Sequence, residues 1–383
     1  MATVAFDPAH STDSRQALLD AAVVMLSRGA PSSVSGREVA AAAGVSYGQI
    51  HRLFGTKDDL MRAGLAELTE RLMADAFPDG ALVPTPGILS RHETFVRALS
   101  NVLVDGSAMR LSTDSPVVRR YKRGLEILRP DLDVDHRDTI VGLSVSLQFG
   151  IELHGRALTV GSGLGPDFDF RSPAVLLVHQ LQGGLGPFAG DLPRPRKIVS
   201  HGPRDPQVPQ GEGREAVERR LVAAACRMLE DRGPTAISGR RLADRAGVNY
   251  GLIHHYFGSA TDIFAKAYDQ VRREFYEAES QGHSAPDFFA AMAHPGYVRA
   301  VTNIALDAGP VAGSFFSVVE ALVEQHQRLH GMTPDRTKFM YAASVSSQLA
   351  WALMKSLLDA GLDRDVSELQ PLAAGYLARL FTP

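Results

Sequence analysis

Two clusters of side chains carry the chemistry of this chain. The first holds Ser46, Tyr47, Gly48, Gln49, His51 and Arg52; the second holds Asn249, Tyr250, Gly251, Leu252, His254 and His255. Placed on one exposed face of a short helix, such groups suit the edges of base pairs in a DNA groove. Gln49 can pair bidentately with adenine, and Arg52 can reach guanine or a phosphate. Leu252 stands where Gln49 stands in the other cluster and offers only apolar contact, to a thymine methyl. Tyr47, Tyr250, Arg37, Arg240, Lys57 and helix N-termini are candidates for phosphate contacts. Gly48 and Gly251 allow the backbone to come close to DNA. Adjacent helical residues point about 100° apart, so His254 and His255 make a poor chelate and no metal is expected.

These residues need a frame, and the frame is written twice. Residues 35–60 return without a gap as residues 238–263, with 14 of 26 positions identical. Unrelated sequences would share about two. A helix-turn-helix needs a small residue where its helices cross, a glycine in the turn and an apolar residue facing inward on the second helix. Ala40, Gly44 and Ile50 meet that pattern, as do Ala243, Gly247 and Ile253. Ser35 with Glu38 forms a capping box for the first helix of the motif, whereas Ser238 faces Arg241 and loses the reciprocal half. Ser46 and Asn249 are suited to cap the second helices. Phe54 and Phe257 close the small core, and Gly55 and Gly258 end the helix.

The duplication reaches beyond these heads. FVRALSNVLVDG (95–106) matches YVRAVTNIALDA (297–308), and SVSLQ (144–148) matches SVSSQ (344–348). Apolar residues recur at helical spacing in Ser14–Arg28 and Lys57–Ala76. Asp138–Val160 and Arg336–Ala360 read as long apolar helices, and Pro173–Gln182 and Leu369–Phe381 as final ones. Strand-like alternation is absent, so the expected fold class is all-α. Six prolines and five glycines in 186–213 rule out regular structure there. The expected order is a head at 11–60, a helical body at 61–185, a linker at 186–213, a second head at 214–263 and a second body at 264–383. The linker can span roughly 80 Å at about 3.1 Å per residue.

Composition sets the limits. The 383 residues are 45% hydrophobic and 22% charged, with a net charge of −3. Bulk charge therefore does not make the chain a polyanion binder, although a local basic face suffices for DNA. The single cysteine, Cys226, lies in an apolar stripe and reads as a small buried hydrophobe. The N-terminus lacks the pattern of a secretion signal, and no stretch approaches the roughly 18 apolar residues of a membrane span. A cytoplasmic protein without a cofactor is expected. No Gly-rich phosphate loop, Cys/His metal spacing or nucleophile elbow is present, so an enzyme is not expected.

The stretches VAAAAGVSYGQIHRLFGTKDDL and LADRAGVNYGLIHHYFGSATDI resemble the heads of the TetR family of bacterial transcriptional regulators. The resemblance covers about 50 residues of each half. It implies a three-helix DNA-binding head and, behind it, a helical regulatory domain whose last two helices build a four-helix dimer interface. It also implies a small, often apolar, ligand among the central helices, about 87–160 and 286–360. Two departures stand out. His51 and His254 replace the family's usual tyrosine, and its usual lysine, kept as Lys57, is Ala260 in the second copy.

Two helices carry Arg97, Asn101, Asp105 and Arg299, Asn303, Asp307 at helical spacing on one face. They read as a polar ladder holding head to body, or as polar groups of a ligand pocket. Trp351 reads as core or interface ahead of a ligand stacker. The expected function is a ligand-responsive repressor whose two unlike heads read one operator as a monomeric pseudo-dimer. A dimer of tandem chains bridging four half-sites is the alternative, and a helical adaptor with a decayed head is a third. Ligand binding would shift the population of head spacings away from the 34–36 Å that consecutive major-groove faces require.

Overall fold

The first half opens with α1 (Pro8–Arg28), α2 (Gly36–Ala42) and α3 (Gly48–Phe54), and continues with α4 (Lys57–Ala76), α5 (Glu93–Asp105), α6 (Pro116–Leu128), α7 (Val134–Gly161) and α8 (Arg171–His179). The second half repeats the order with α9 (Arg214–Asp231), α10 (Gly239–Ala246), α11 (Gly251–Phe257), α12 (Ala260–Ser280) and α13 (Pro295–Asp307). It ends with α14 (Pro334–Leu353), α15 (Lys355–Leu362) and α16 (Gln370–Phe381). This computed structural model describes residues 8–105, 115–161, 163–165, 167–184, 213–280, 288–307 and 333–381. The linker expected at 186–213 lies outside them, apart from Gly213. Among the described residues the fold is all-α, as expected, with no strand.

Each head is held by the residues the duplicated pattern singles out. Ala40 and Ala243 are buried at the helix crossing, and Ile50 and Ile253 point into the core beside them. Gly44 and Gly247 take φ of +67° and +63°, the left-handed conformation that favours glycine in this turn. The Ser35–Glu38 capping box forms, whereas Ser238 only accepts from the Arg241 N–H. Phe54 and Phe257 are half-buried, each under a cation: Arg15 lies 4.8 Å from one ring and Lys266 4.9 Å from the other. Cys226 sits in the second half, where burial pushes its thiol up to about 12, so it stays a protonated apolar filler.

The polar face of α5 resolves one open question. Asn101 Nδ2 donates to the Leu26 carbonyl at 2.8 Å, and Arg97 Nε to the Ser27 carbonyl at 3.2 Å. Asp105 accepts from both the Ser32 N–H and its hydroxyl. In the second half Asn303 bonds the Leu229 carbonyl, Arg299 pairs with Glu230, and Asp307 holds Thr235. Each ladder therefore ties the end of its head's first helix to the body. Arg97 also donates to Leu306 O at 2.9 Å, so the ladder of one half touches the other.

The two halves pack against each other through α7 and α14. The backbones come close enough that a Cβ on Gly150 would lie 2.2 Å from Ser346 O. Trp351, fully buried, fills the space above Gly142, where a Cβ would lie 2.6 Å from its Cζ3. Its ring also meets Phe289 edge-on at 5.3 Å. Trp351 is thus interface core. Beside it, Lys122 Nζ lies 3.3 Å from buried Asp138 and donates to Leu362 O at 2.7 Å. Arg364 reaches Asp135 at 2.6 Å and Asp138 at 3.8 Å, carrying the ionic cluster across the interface.

One helix departs from its expected length. The apolar pattern of Arg336–Ala360 predicts a single helix, yet it breaks at Met354, with φ −93° and ψ 8°. The Leu357 and Leu358 N–H groups both turn to the Met354 carbonyl. No proline or glycine marks the break. Lys355 holds the new direction through Asp359 and Asp365, at 2.6 and 2.8 Å.

Candidate nucleic-acid interface

Helices α3 and α11 present the two chemical clusters. Ser46, Tyr47, Gly48, His51 and Arg52 are exposed, as are Asn249, Tyr250, Gly251, His254 and His255. Arg37 and Arg240 are exposed on the first turns of α2 and α10. Gln49 and Leu252 are half-buried on the inner edges of the two helices, and Leu252 packs against the core. An added Cβ on Gly48 would meet nothing within 4 Å, so bare backbone faces outward there.

The tyrosines are held in place by partners that sequence reasoning overlooked. A Cβ on Gly36 would lie 2.6 Å from Tyr47 Cε2, and one on Gly239 would lie 2.8 Å from Tyr250 Cε2. Each tyrosine ring therefore rests on the glycine that starts the neighbouring helix. On its other side it meets a histidine edge-on, with centroids 5.0 Å apart for His51 and 5.4 Å for His254. His51 Nδ1 lies 2.8 Å from Gly55 O, and His254 Nδ1 3.0 Å from Gly258 O. An Nδ1–H donated to that carbonyl leaves Nε2 to accept, and the Tyr250 hydroxyl sits 3.1 Å from Nε2 of His254. The histidines thus orient the tyrosines and cap the C-terminal end of the same helix. The repeated SGR and YG.IH strings carried this signal, since both copies keep glycine, tyrosine and histidine in register.

Lys57 and the expected N-caps have defined surroundings within the heads. The ammonium of Lys57, the residue expected at a phosphate, donates to Pro31 O at 2.9 Å and Val34 O at 3.2 Å, with Asp58 at 3.5 Å. These three partners match the three donors of an ammonium. Lys57 works as a strut that fastens α4 to the turn before α2. Ser46 and Asn249 were expected as N-caps, and Tyr47 and Tyr250, the residues after them, are already helical, which puts Ser46 and Asn249 at the N-cap position. Asn249 makes the capping bond itself, accepting from Gly251 N at 2.8 Å.

Behind the first head lies a cavity of about 520 Å³, walled by α4, α5, α6 and α7 and closed by Met354, Leu357 and Leu358 of the second half. Phe95, Leu99 and Phe149 make its walls apolar, while Arg62 and Glu70 are exposed at its rim. Gln148 lies on the wall with its carboxamide already engaged, accepting from Gly87 N and donating to Ser144 O. The volume is that of a small-molecule site. Among the described residues no group of three His, Cys, Asp or Glu is placed to hold a metal, and no helix is long and apolar enough to cross a membrane.

Paired helix-turn-helix heads with exposed polar and aromatic recognition helices, each on a helical body, define a DNA-binding transcriptional regulator. The profile of the bacterial regulatory proteins of the tetR family matches twice, at residues 18–63 and 221–267. The HTH-type transcriptional repressor Rv3405c of Mycobacterium tuberculosis is 31% identical over 150 residues, 39% of this chain and 77% of that protein. The HTH-type transcriptional regulator Mb3439c of Mycobacterium bovis matches to the same extent. The HTH-type nicotine-responsive transcriptional repressor HdnoR of Paenarthrobacter nicotinovorans is 40% identical over 63 residues, 16% of this chain and 32% of that protein. The chain belongs to the TetR family.

Proposed function

We propose that this protein is a ligand-responsive repressor acting in the cytoplasm, and that it binds one operator as a single chain with two unlike half-sites. The heads are taken as 11–60 and 214–263, the bodies as 61–185 and 264–383, joined by the 186–213 linker. The residues the two heads share are those suited to hold DNA: Arg37 and Arg240, Tyr47 and Tyr250, Gly48 and Gly251. His51 and His254 orient the tyrosines. The residues that differ are those suited to read it. Ser46, Gln49 and Arg52 face Asn249, Leu252 and His255 at the equivalent places, so phosphate contacts repeat while base preferences diverge.

The observation that carries the single-chain reading is the asymmetry of the α7–α14 interface. At the repeat offset of 200, the counterparts of Gly142 and Trp351 are Ala342 and Ile151. Pairing two first halves would set Gly142 against Ile151 and leave a void. Pairing two second halves would drive Trp351 into the Ala342 methyl, where even a Cβ at the equivalent place lies under 3 Å from the ring. Charge discriminates in the same sense. Asp138 meets Arg364, whereas their counterparts are Lys338 and Leu164. Two second halves would oppose Lys338 and Arg364, and two first halves would leave Asp138 without its cross-interface cation.

Ligand response is supported by what the cavity touches. Helix α4 forms one wall and grips the head through Lys57; α5 forms another and grips it through Asn101 and Asp105. A ligand that fits one spacing of α4 and α5 better than another shifts the population of head positions. Operator affinity falls by the ratio of the ligand's affinities for the two states.

Light scattering on the 41.3 kDa chain, free and bound to a selected DNA fragment, tests the assembly. One chain in both states is expected. Two chains in both states would replace this reading with paired tandem chains and a four-half-site operator.

A further inference from the structure

The two bodies are duplicates, yet they do not offer the same interior. At the repeat offset, Leu65, Leu72 and Phe95 of the first cavity correspond to Tyr268, Phe275 and Tyr297. Phe275 and Tyr297 stack face to face, with centroids 4.1 Å apart and planes 6° from parallel. Tyr268 is 1% exposed. The Tyr276 and Tyr341 hydroxyls meet at 3.2 Å, and burial holds Tyr341 in its neutral form. Aromatic rings of the chain itself stand where the first half leaves room.

The break at Met354 breaks the duplication a second time. Its counterpart is His154, where α7 runs on unbroken to Gly161. The break turns Leu357 and Leu358 toward the cavity of the first half. Helix α15 is clamped there, since a Cβ on Gly361 would lie 2.5 Å from the Val118 Cβ on α6. Among the described residues the second half places its own rings at the counterpart of the pocket, and it lends a wall to the first.

From this, and resting on the reading of the cavity as an effector site, we propose that the chain binds one uncharged apolar molecule, at a single site shared by both halves. The occupant is uncharged because the walls are apolar, with Phe95, Leu99 and Phe149 among them, and the inner carboxamide and the Thr69 hydroxyl are already paired. The carboxamide of Gln148 is engaged at both ends, and the Thr69 hydroxyl donates to Leu65 O. A charge buried among the inner apolar walls would lose its water without a paired group beside it. One binding event therefore touches walls that come from both halves.

The test uses N-phenyl-1-naphthylamine, an uncharged apolar dye that brightens on burial, titrated to saturation on the full chain. One dye per chain is expected. Leu357→Trp, a change in the second half, should weaken binding at least tenfold, and the smaller Leu357→Phe gives the same test if the tryptophan variant loses its cooperative melt. Phe275→Ala with Tyr297→Ala should open a second site and raise the count to two. Two dyes per wild-type chain, or binding unmoved by both Leu357 variants, would overturn the shared single site while leaving an effector cavity in place. No dye bound at all would overturn the effector reading itself, and the single-site inference with it.

Discussion

Tyr47 and Tyr250 sit 41% exposed on the outer face of their heads, and what fixes them there is the lack of a methyl group opposite. Gly36→Ala should separate placement from stability. Alanine suits the first turn of a helix better than glycine, by up to about 1 kcal/mol, so the urea midpoint should hold or rise. The displaced Tyr47 ring should lower operator affinity about tenfold, read by fluorescence anisotropy, since ~1.4 kcal/mol corresponds to one decade. If affinity stays level, Tyr47 is not a DNA contact. The glycine's role was hard to read in advance, because a glycine before a helix is ordinary and its reason here is a ring folded back from the next helix. The turn glycines Gly44 and Gly247 were legible, since a left-handed turn makes a local demand. The strut made by Lys57 was hidden for the opposite reason: only tertiary structure supplies the carbonyls of Pro31 and Val34. His154 offers a second residue-scale check. It is fully buried in α7, and burial pushes its pKa down to about 3. The unfolded chain, with a histidine near 6.5, binds the extra proton between those values. Stability from the neutral ring is complete above pH 6.5 and is lost as pH falls toward 3. His154→Met, the residue found at the equivalent position 354, should therefore lose about 1–2 kcal/mol less than wild type between pH 7 and 5 in urea titrations. Parallel pH profiles would remove His154 from the account.

At the scale of elements, head and body are joined by short polar ladders on α5 and α13. Asn101 and Asn303 are 6% and 4% exposed, and each caps the carbonyl end of the preceding head's first helix. Asn101→Ala leaves that buried carbonyl without a donor, which costs about 1–3 kcal/mol. The loss should appear in denaturant unfolding, and equally for Asn303→Ala, because the two ladders share the same geometry there. A change under about 0.5 kcal/mol would mean that water takes the amide's place. Helix order and most helix limits followed from apolar spacing, which is a one-dimensional signal. The break at Met354 did not, because no proline or glycine marks it in the sequence. The cavity's region was legible from the family resemblance, which put a ligand among the central helices, but the wall that comes from the other half was not.

The whole molecule depends on each half preferring the other to a copy of itself. Duplication starts from two identical halves, and identical halves pair indifferently within or between chains. Here Trp351 has taken the volume that Gly142 gives up, and Arg364 has taken the carboxylates of α7, so the preference is built into the interface as well as into the linker. If so, the linker is dispensable for pairing. Residues 1–185 and 213–383, expressed as separate chains in one cell, should purify together in equal amounts, and neither should form a dimer with itself by light scattering. Gly142→Ala in the first piece should break the complex, by pressing a methyl into the Trp351 ring, and Trp351→Phe in the second should restore part of it. Self-pairing of either piece would mean that the linker alone keeps the halves together. An operator with two identical half-sites would then be no surprise, since nothing in the interface would hold two unlike heads as a pair.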